Sequence, residues 1–138
     1  TMEDRLIEQL NKIAALVKGD GAAMKGCAMS RESAIQLSNV RYPGKPYCLV
    51  KDWSWFDLFV PDSVKDLLAD SEFQPAILYS HSIVLDQKNR FPPDGWVKSS
   101  LLTHWDEDGF FITRNTVYIL LGEGSRLSTT LGAVEAFH

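Results

Sequence analysis

The segment from Ile77 to Gly124 constrains the fold most, because short β-type runs alternate there with turn sequences. Pro-Pro-Asp-Gly occupies positions 92–95, Asp-Glu-Asp-Gly occupies positions 106–109, and Arg-Asn follows at positions 114–115. Turns rich in glycine, proline, aspartate and asparagine between apolar runs are typical of β-hairpins. The pattern predicts a compact antiparallel meander, and it specifies a fold more closely than it specifies a reaction.

The length and composition of the chain favour a single domain. With 138 residues, 45% of them hydrophobic, the chain is long enough to bury one core without metals or disulfides. We predict one domain over residues 1–138, with a helical part at about 2–42, a β-rich part at about 46–127 and a tail at 128–138. The fold class that we expect is α+β, with a small antiparallel twisted sheet or partly closed barrel and two or three short helices packed on it.

Three segments carry helical signals. The amphipathic pattern of residues 3–18 predicts a helix, and the small, glycine-rich segment that follows at 20–28 favours a flexible connection. Ser30 is a good N-cap for a second helix that extends to about Ser38. Pro-Asp at 61–62 opens a third helix. The inner side of that helix is predicted to consist of Val64, Leu67 and Leu68.

Two longer strands are predicted before and within the meander. Residues 47–60 are rich in aromatic and β-branched types, and Trp53, Trp55 and Phe59 share one face of that strand. Both of its faces are apolar, so the strand either lies between two layers or presents one aromatic face to a partner. Residues 76–86 alternate as expected of a half-buried strand.

Charge and cysteine content exclude several classes of protein. The formal net charge of -4 and the isoelectric point near 5.3 argue against a main role in neutralising phosphates, so nucleic acid is not expected as a partner. Cys27 and Cys48 lack the spacing of a zinc site or a disulfide framework, and we predict that both are reduced and buried. No run approaches the roughly 18 apolar residues of a membrane span. We therefore expect no membrane partner and a cytoplasmic location.

An enzymatic interpretation depends on two histidines and their acidic neighbours. Its most economical form is a small hydrolase in which His81 acts as a general base oriented by Asp86 or Asp57, with Cys48 or a hydroxyl nearby. A metal site would join His81 and His104 to Asp86 or to the acidic turn at 106–108, but this spacing matches no recognised ligand pattern. We predict no catalytic set, no metal and no cofactor, and the pair of His81 and Asp86 remains the alternative.

A binding interpretation depends on aromatic density and on basic residues near the hairpin ends. Tryptophan, tyrosine and arginine are the usual anchors of interfaces, although burial in the core also explains many aromatic residues, and solvated turns also explain basic ones. The predicted binding residues are Trp53, Trp55, Phe59, Arg90, Trp96, Lys98, Arg114, Asn115 and Tyr118.

Several segments resemble a known family. They are Tyr79–Asp86, Arg90–Phe91, Gly95–Ser100 and Phe111–Gly124. Together they are similar to a family of small proteins encoded by proteobacteria and their bacteriophages or prophages, described as a domain of unknown function. The resemblance extends from about Asp52 to Arg126, and Lys98 and Ser99 stand where the family would have arginine and threonine. It implies an origin and a domain, and no activity.

These observations favour a noncatalytic binding protein of phage or prophage origin, which acts on a host bacterial protein or through self-association. The alternative is a small hydrolase-type enzyme built around His81 and Asp86. A third possibility, a single-strand nucleic-acid binder with stacked aromatic side chains, predicts steeply salt-dependent binding, and the acidic composition argues against it.

Overall fold

The computed structural model describes residues 22–90 and 95–130, and within them eight strands and two helices form one mixed sheet with helices attached. In chain order the elements are β1 (Ala22–Lys25), α1 (Arg31–Arg41), β2 (Tyr47–Phe59), α2 (Asp62–Asp70), β3 (Ala76–Asp86), β4 (Val97–Lys98), β5 (His104–Asp106), β6 (Phe110–Ile112), β7 (Val117–Leu120) and β8 (Glu123–Thr130). The helix predicted at 3–18, most of the turn at 92–95 and the end of the tail, 131–138, lie outside the described residues.

The sheet is a strongly curled half-barrel with β2 at its centre. β2 pairs antiparallel with β3 on one side, and on the other side it pairs parallel, first with β7 and then with β8. Four reversals of direction separate β2 from β7, so the two strands run the same way when curling brings them side by side. The α+β class and the partly closed barrel are confirmed, and the sheet is mixed rather than wholly antiparallel.

Residues 97–106 form one continuous stretch that pairs first with β3 and then with β6, and this change of neighbouring strand curls the sheet. Its first part runs along β3, where Ser99 N–H donates to the Leu78 carbonyl at 2.8 Å and Leu102 N–H donates to the Ala76 carbonyl at 2.9 Å. Its second part runs along β6, and there Thr103 N–H donates to a carbonyl of β6 at 2.8 Å. The concave face encloses a core built largely from large side chains. It includes Trp53, Trp55, Leu78, Ile83, Leu102, Phe111, Tyr118 and Leu120.

Helix α1 begins as its sequence predicts and packs on the opposite face of the sheet. The Ser30 side chain accepts a hydrogen bond from Ser33 N–H at 3.2 Å, which confirms the N-cap. The helix continues to Arg41, slightly beyond the predicted end, because Tyr42 N–H still donates to the Ser38 carbonyl. Ala34 is fully buried in a second core cluster with β6 and β7.

The predicted inward position of Leu67 on helix α2 is wrong. None of its residues is fully buried, and the side chain of Leu67, predicted to face inward, is 66% exposed. Val64 and Leu68 are half-buried, and being four residues apart they share one side of the helix, whereas Leu67 lies about 100° away. In the part of the chain that the structure describes, neither helix is long and apolar enough to cross a membrane.

Two segments predicted to be irregular are strands. The glycine-rich connection predicted at 20–28 contains β1, and β8, which ends at Thr130, extends into the tail predicted at 128–138. The two strands pair with each other, with Met24 opposite Gly124. A Cβ atom on Gly124 would overlap both the indole and the carbonyl oxygen of Trp53, so glycine here permits β8 to lie directly on the buried tryptophan.

Candidate binding cleft

The proposed catalytic pair is not assembled. His81 is exposed on β3, whereas Asp86 is buried at the end of the same strand. Five residues of extended chain separate their backbones by about 16 Å. Hydrogen-bond reach is about 3 Å, so His81 and Asp86 cannot act on one another within this strand geometry.

Asp86 is instead neutralised inside the fold by Arg90. Its carboxylate accepts hydrogen bonds from Arg90 N–H at 2.6 Å, from Nε at 3.0 Å and from Nη2 at 2.8 Å. The Arg90 guanidinium also donates from Nη1 to the Thr116 hydroxyl at 2.9 Å. Arg90 and Thr116 both belong to the segments that carry the family resemblance, and here they tie the end of β3 to the start of β7.

Cys48 and Tyr118 complete a row of buried groups beside Asp86. Cys48 lies opposite Asp86 on one neighbouring strand and opposite Tyr118 on the other, so the three side chains share a face. Burial, with a smaller contribution from the Asp86 charge, raises the pKa of Cys48 to about 12. Burial likewise raises the pKa of Tyr118 to about 12. Both groups are protonated near neutral pH, which is unfavourable for a nucleophile or a general base.

A second ion pair lies at the other end of β2. Arg126 donates to Asp57 from Nε at 2.7 Å and from Nη2 at 3.1 Å, and its guanidinium carbon lies 4.8 Å from the centre of the Trp55 ring. Trp55 Nε1–H donates to Asp57 at 2.9 Å, and the Trp55 ring meets Trp105 and Phe111 edge to face. This cluster holds β8 against β2 and leaves Asp57 paired.

The acidic turn between β5 and β6 binds the end of α1 through ion pairs and a hydrogen bond. The Arg41 Nη1 atom lies 2.9 Å from Asp106 and 2.6 Å from Asp108, and the Tyr42 hydroxyl donates to Asp106 at 2.8 Å. Burial opposes ionisation of Asp106, but hydrogen bonds from Asp108 N–H, Tyr42 and Arg41 outweigh it and lower the Asp106 pKa. The predicted hairpin turn is confirmed here. Among residues 22–90 and 95–130, no three His, Cys, Asp or Glu side chains are grouped to hold a metal ion.

The residues predicted to bind a partner are divided between core and surface. Trp53, Trp55 and Tyr118 are buried, so a surface patch does not include their side chains. Arg90 belongs to the Asp86 network, and Trp96 and Lys98 are half-buried. The exposed members are Phe59, at the end of β2, and Arg114 and Asn115, which form the turn between β6 and β7 as predicted. Cys27 and Cys48 are free and buried, as predicted.

Arg114 borders a cleft of about 700 Å³ where the end of α2 approaches the turn between β6 and β7. We call it the Lys45–Arg114 cleft; its lining residues are Lys45, Ala69, Ser71, Glu72, Phe73, Gln74, Thr103 and Arg114. The Lys45 ammonium donates to the Thr113 carbonyl at 2.9 Å, and Gln74 N–H donates to the Leu102 carbonyl at 2.8 Å. These bonds fix both walls of the cleft to the sheet.

The cleft contains cations without a carboxylate partner. The Arg114 guanidinium carbon lies 4.8 Å from the centre of the half-buried Phe73 ring. Within residues 22–90 and 95–130, neither Arg114 nor Lys45 has an ion pair, whereas Arg41, Arg90 and Arg126 each have at least one. Burial lowers the pKa of Lys45, since no anion beside it offsets the loss of water.

Glu72 reaches the cleft through an unusual backbone conformation. Phe73 N–H donates to the Leu68 carbonyl at 2.8 Å and Glu72 N–H donates to the Ala69 carbonyl at 3.0 Å, which is the Schellman pattern at a helix C-terminus. Glu72 has a φ of 64°, at the position that usually holds glycine. The other non-glycine residues with positive φ in the described ranges are an aspartate and an asparagine, which tolerate it better.

Sequence reasoning selected Arg114 and missed its partners in the cleft. Lys45, Phe73 and Thr103 come from segments far apart in the chain, so no local pattern joins them. One available signal was the segment after α2, where Ser-Glu-Phe stands at 71–73 and a glycine would be usual.

Comparison with known proteins supplies a family. Residues 25–136 match the model of a domain of unknown function, DUF6957, which extends beyond the region of resemblance recognised in the sequence. None of the curated proteins and none of the solved structures matches the chain. Since the matched region covers most of the 138 residues, the chain belongs to the DUF6957 family.

Proposed function

We propose that this protein is a noncatalytic interaction protein of phage or prophage origin, which acts in the cytoplasm of a bacterial host on a host protein or through self-association. The observation that carries the proposal is the Lys45–Arg114 cleft, where two cations and the Phe73 ring lie together without a carboxylate partner in the described residues. An arginine stacked on an aromatic ring is a frequent anchor of protein interfaces.

The polar side chains that could serve in catalysis also favour a noncatalytic function. Asp86 and Asp57 are each paired with an arginine that holds two strands together, and His81 lies apart from Asp86. The buried Cys48 thiol has a pKa of about 12 and stays protonated. Side chains that already hold strands together are poor candidates for catalysis. In the cleft, by contrast, Lys45 and Arg114 have no carboxylate partner in the described residues and can bind one on another protein.

Affinity capture with matched charge variants tests the proposal. The full chain, a Lys45→Glu/Arg114→Glu variant and an Arg31→Glu control serve as baits in host lysate, and bound proteins are identified by mass spectrometry. Arg31 is exposed at the opposite end of α1 from Lys45, so the control changes surface charge away from the cleft. Sedimentation velocity of the same three proteins measures self-association.

We expect a host protein, or a dimer, that the full chain and the control retain and the double variant loses. The proposal is contradicted if all three baits recover the same proteins and none of them self-associates. The origin is tested separately by the genes that flank the coding sequence. Phage structural, lysis or integration genes support a phage or prophage origin, and a conserved housekeeping operon contradicts it.

A further inference from the structure

We infer that the Lys45–Arg114 cleft takes an acidic peptide segment of the partner, with a side-chain carboxylate between the two cations and an apolar neighbour on Phe73. The inference rests on the proposed function and names the chemistry of what the cleft binds.

Arg114 is arranged to receive a planar anion. Its guanidinium carbon lies over the Phe73 ring, 4.8 Å from the ring centre, and Arg114 is exposed, so its N–H donors are accessible. Those donors form a fork that matches the two oxygens of a carboxylate. Because Arg114 forms no ion pair with residues 22–90 or 95–130, a carboxylate would meet donors that are otherwise hydrated.

Lys45 supplies the second positive group. One of its three N–H donors goes to the Thr113 carbonyl at 2.9 Å, which holds the ammonium at the wall of the cleft. In the described part of the chain no carboxylate forms an ion pair with the remaining donors, although the group is partly removed from water. A carboxylate in the cleft would offset that desolvation, which is the usual reason for a partly buried charge to be paired.

Glu72 restricts the kind of anion. Glu72 lines the same cleft, so the lining residues carry two positive charges and one negative charge. The whole chain has a formal net charge of -4. A nucleic-acid backbone presents one charge after another and would be repelled by both features, whereas a peptide with single carboxylates beside apolar side chains fits the cations and Phe73.

Titration of the full chain followed by NMR tests the inference. The probe is a short blocked peptide in which glutamates flank a leucine, and the matched control peptide has glutamine in their place. A single-stranded oligothymidylate is the third probe. The protein variants are Arg114→Gln, Arg114→Lys, which keeps the charge without the planar fork, and Glu72→Gln, which removes the like charge at the same side-chain size. Each variant's amide spectrum checks that it is folded.

We expect the glutamate peptide to shift the resonances of Lys45, Phe73 and Arg114 and the glutamine peptide to leave them unchanged. Arg114→Gln should weaken binding about tenfold, Arg114→Lys should weaken it less, and Glu72→Gln should strengthen it a few-fold. Equal binding of both peptides, or shifts produced by the oligothymidylate alone, overturns the inference. Loss of the captured partner in the charge-reversal variant would still support the proposed function in that case, so the two failures are distinguishable.

Discussion

Removal of the Asp86 carboxylate should destabilise the fold strongly, because it leaves the Arg90 guanidinium without the carboxylate that balances its charge. The Asp86 side chain has no exposed area, and it accepts three hydrogen bonds from Arg90. Breaking a buried ion pair by deleting one partner costs about 3–5 kcal/mol. The Arg90 side chain is 33% exposed and can recover some hydration, so we expect the lower end, about 3 kcal/mol, for Asp86→Ala.

Urea denaturation followed by tryptophan fluorescence measures this cost. For a domain of this size, about 3 kcal/mol corresponds to a fall in Tm of roughly 10 °C. Asp86→Ala combined with Arg90→Met should recover part of the loss, since no partly buried charge is then left unpaired. Asp108→Asn, in an ion pair whose two side chains are 41% and 48% exposed, is the control and should cost less than about 1 kcal/mol. A cost below about 1 kcal/mol for Asp86→Ala would refute the architectural role of this carboxylate.

Substitutions at three further positions test separate parts of the structure. Glu72→Gly should raise the free energy of unfolding by about 1 kcal/mol in urea denaturation, because glycine adopts the φ of 64° without strain, whereas Glu72→Gln should give no gain. Asp106→Asn should be less stable than the native chain at pH 7; since the folded-state pKa of Asp106 is lowered, this difference should shrink as pH falls below about 4, and a constant difference would contradict the ion-pair account. Gly124→Ala should lower Tm through overlap with Trp53, and an unchanged Tm would show that β8 can move away from the indole.

Local sequence patterns correctly predicted the elements whose boundaries do not depend on contacts with distant parts of the chain. The boundaries of β3 agree with its alternating sequence, and the Ser30 cap fixes the start of α1. In β2 the alternation shifts by one residue, since Cys48 and Val50 face the same core as Trp53 and Trp55. The shift falls between these pairs, where the backbone adopts a positive φ at an aspartate, and no sequence pattern states it.

Tertiary contacts decided the rest. The glycine-rich segment before α1 was predicted to be a flexible connection, yet it contains a strand that pairs with β8, where glycine permits close approach to Trp53. The density of aromatic residues favoured a binding surface. A strongly curled sheet, however, needs large side chains to fill its concave face, and Trp55 and Tyr118 pack in that core. The cleft escaped prediction except for Arg114, because its walls come from four separate segments of the chain.

Hydrogen exchange, measured by mass spectrometry on the complex with a captured partner or on the self-associated chain, tests most directly whether the Lys45–Arg114 cleft is the binding surface. We predict slower exchange in the segments at 69–74 and 113–116 on binding, with the start of α1 unchanged. Protection confined to the exposed side of β3 around His81, with no change at the cleft, would contradict the assignment of this surface.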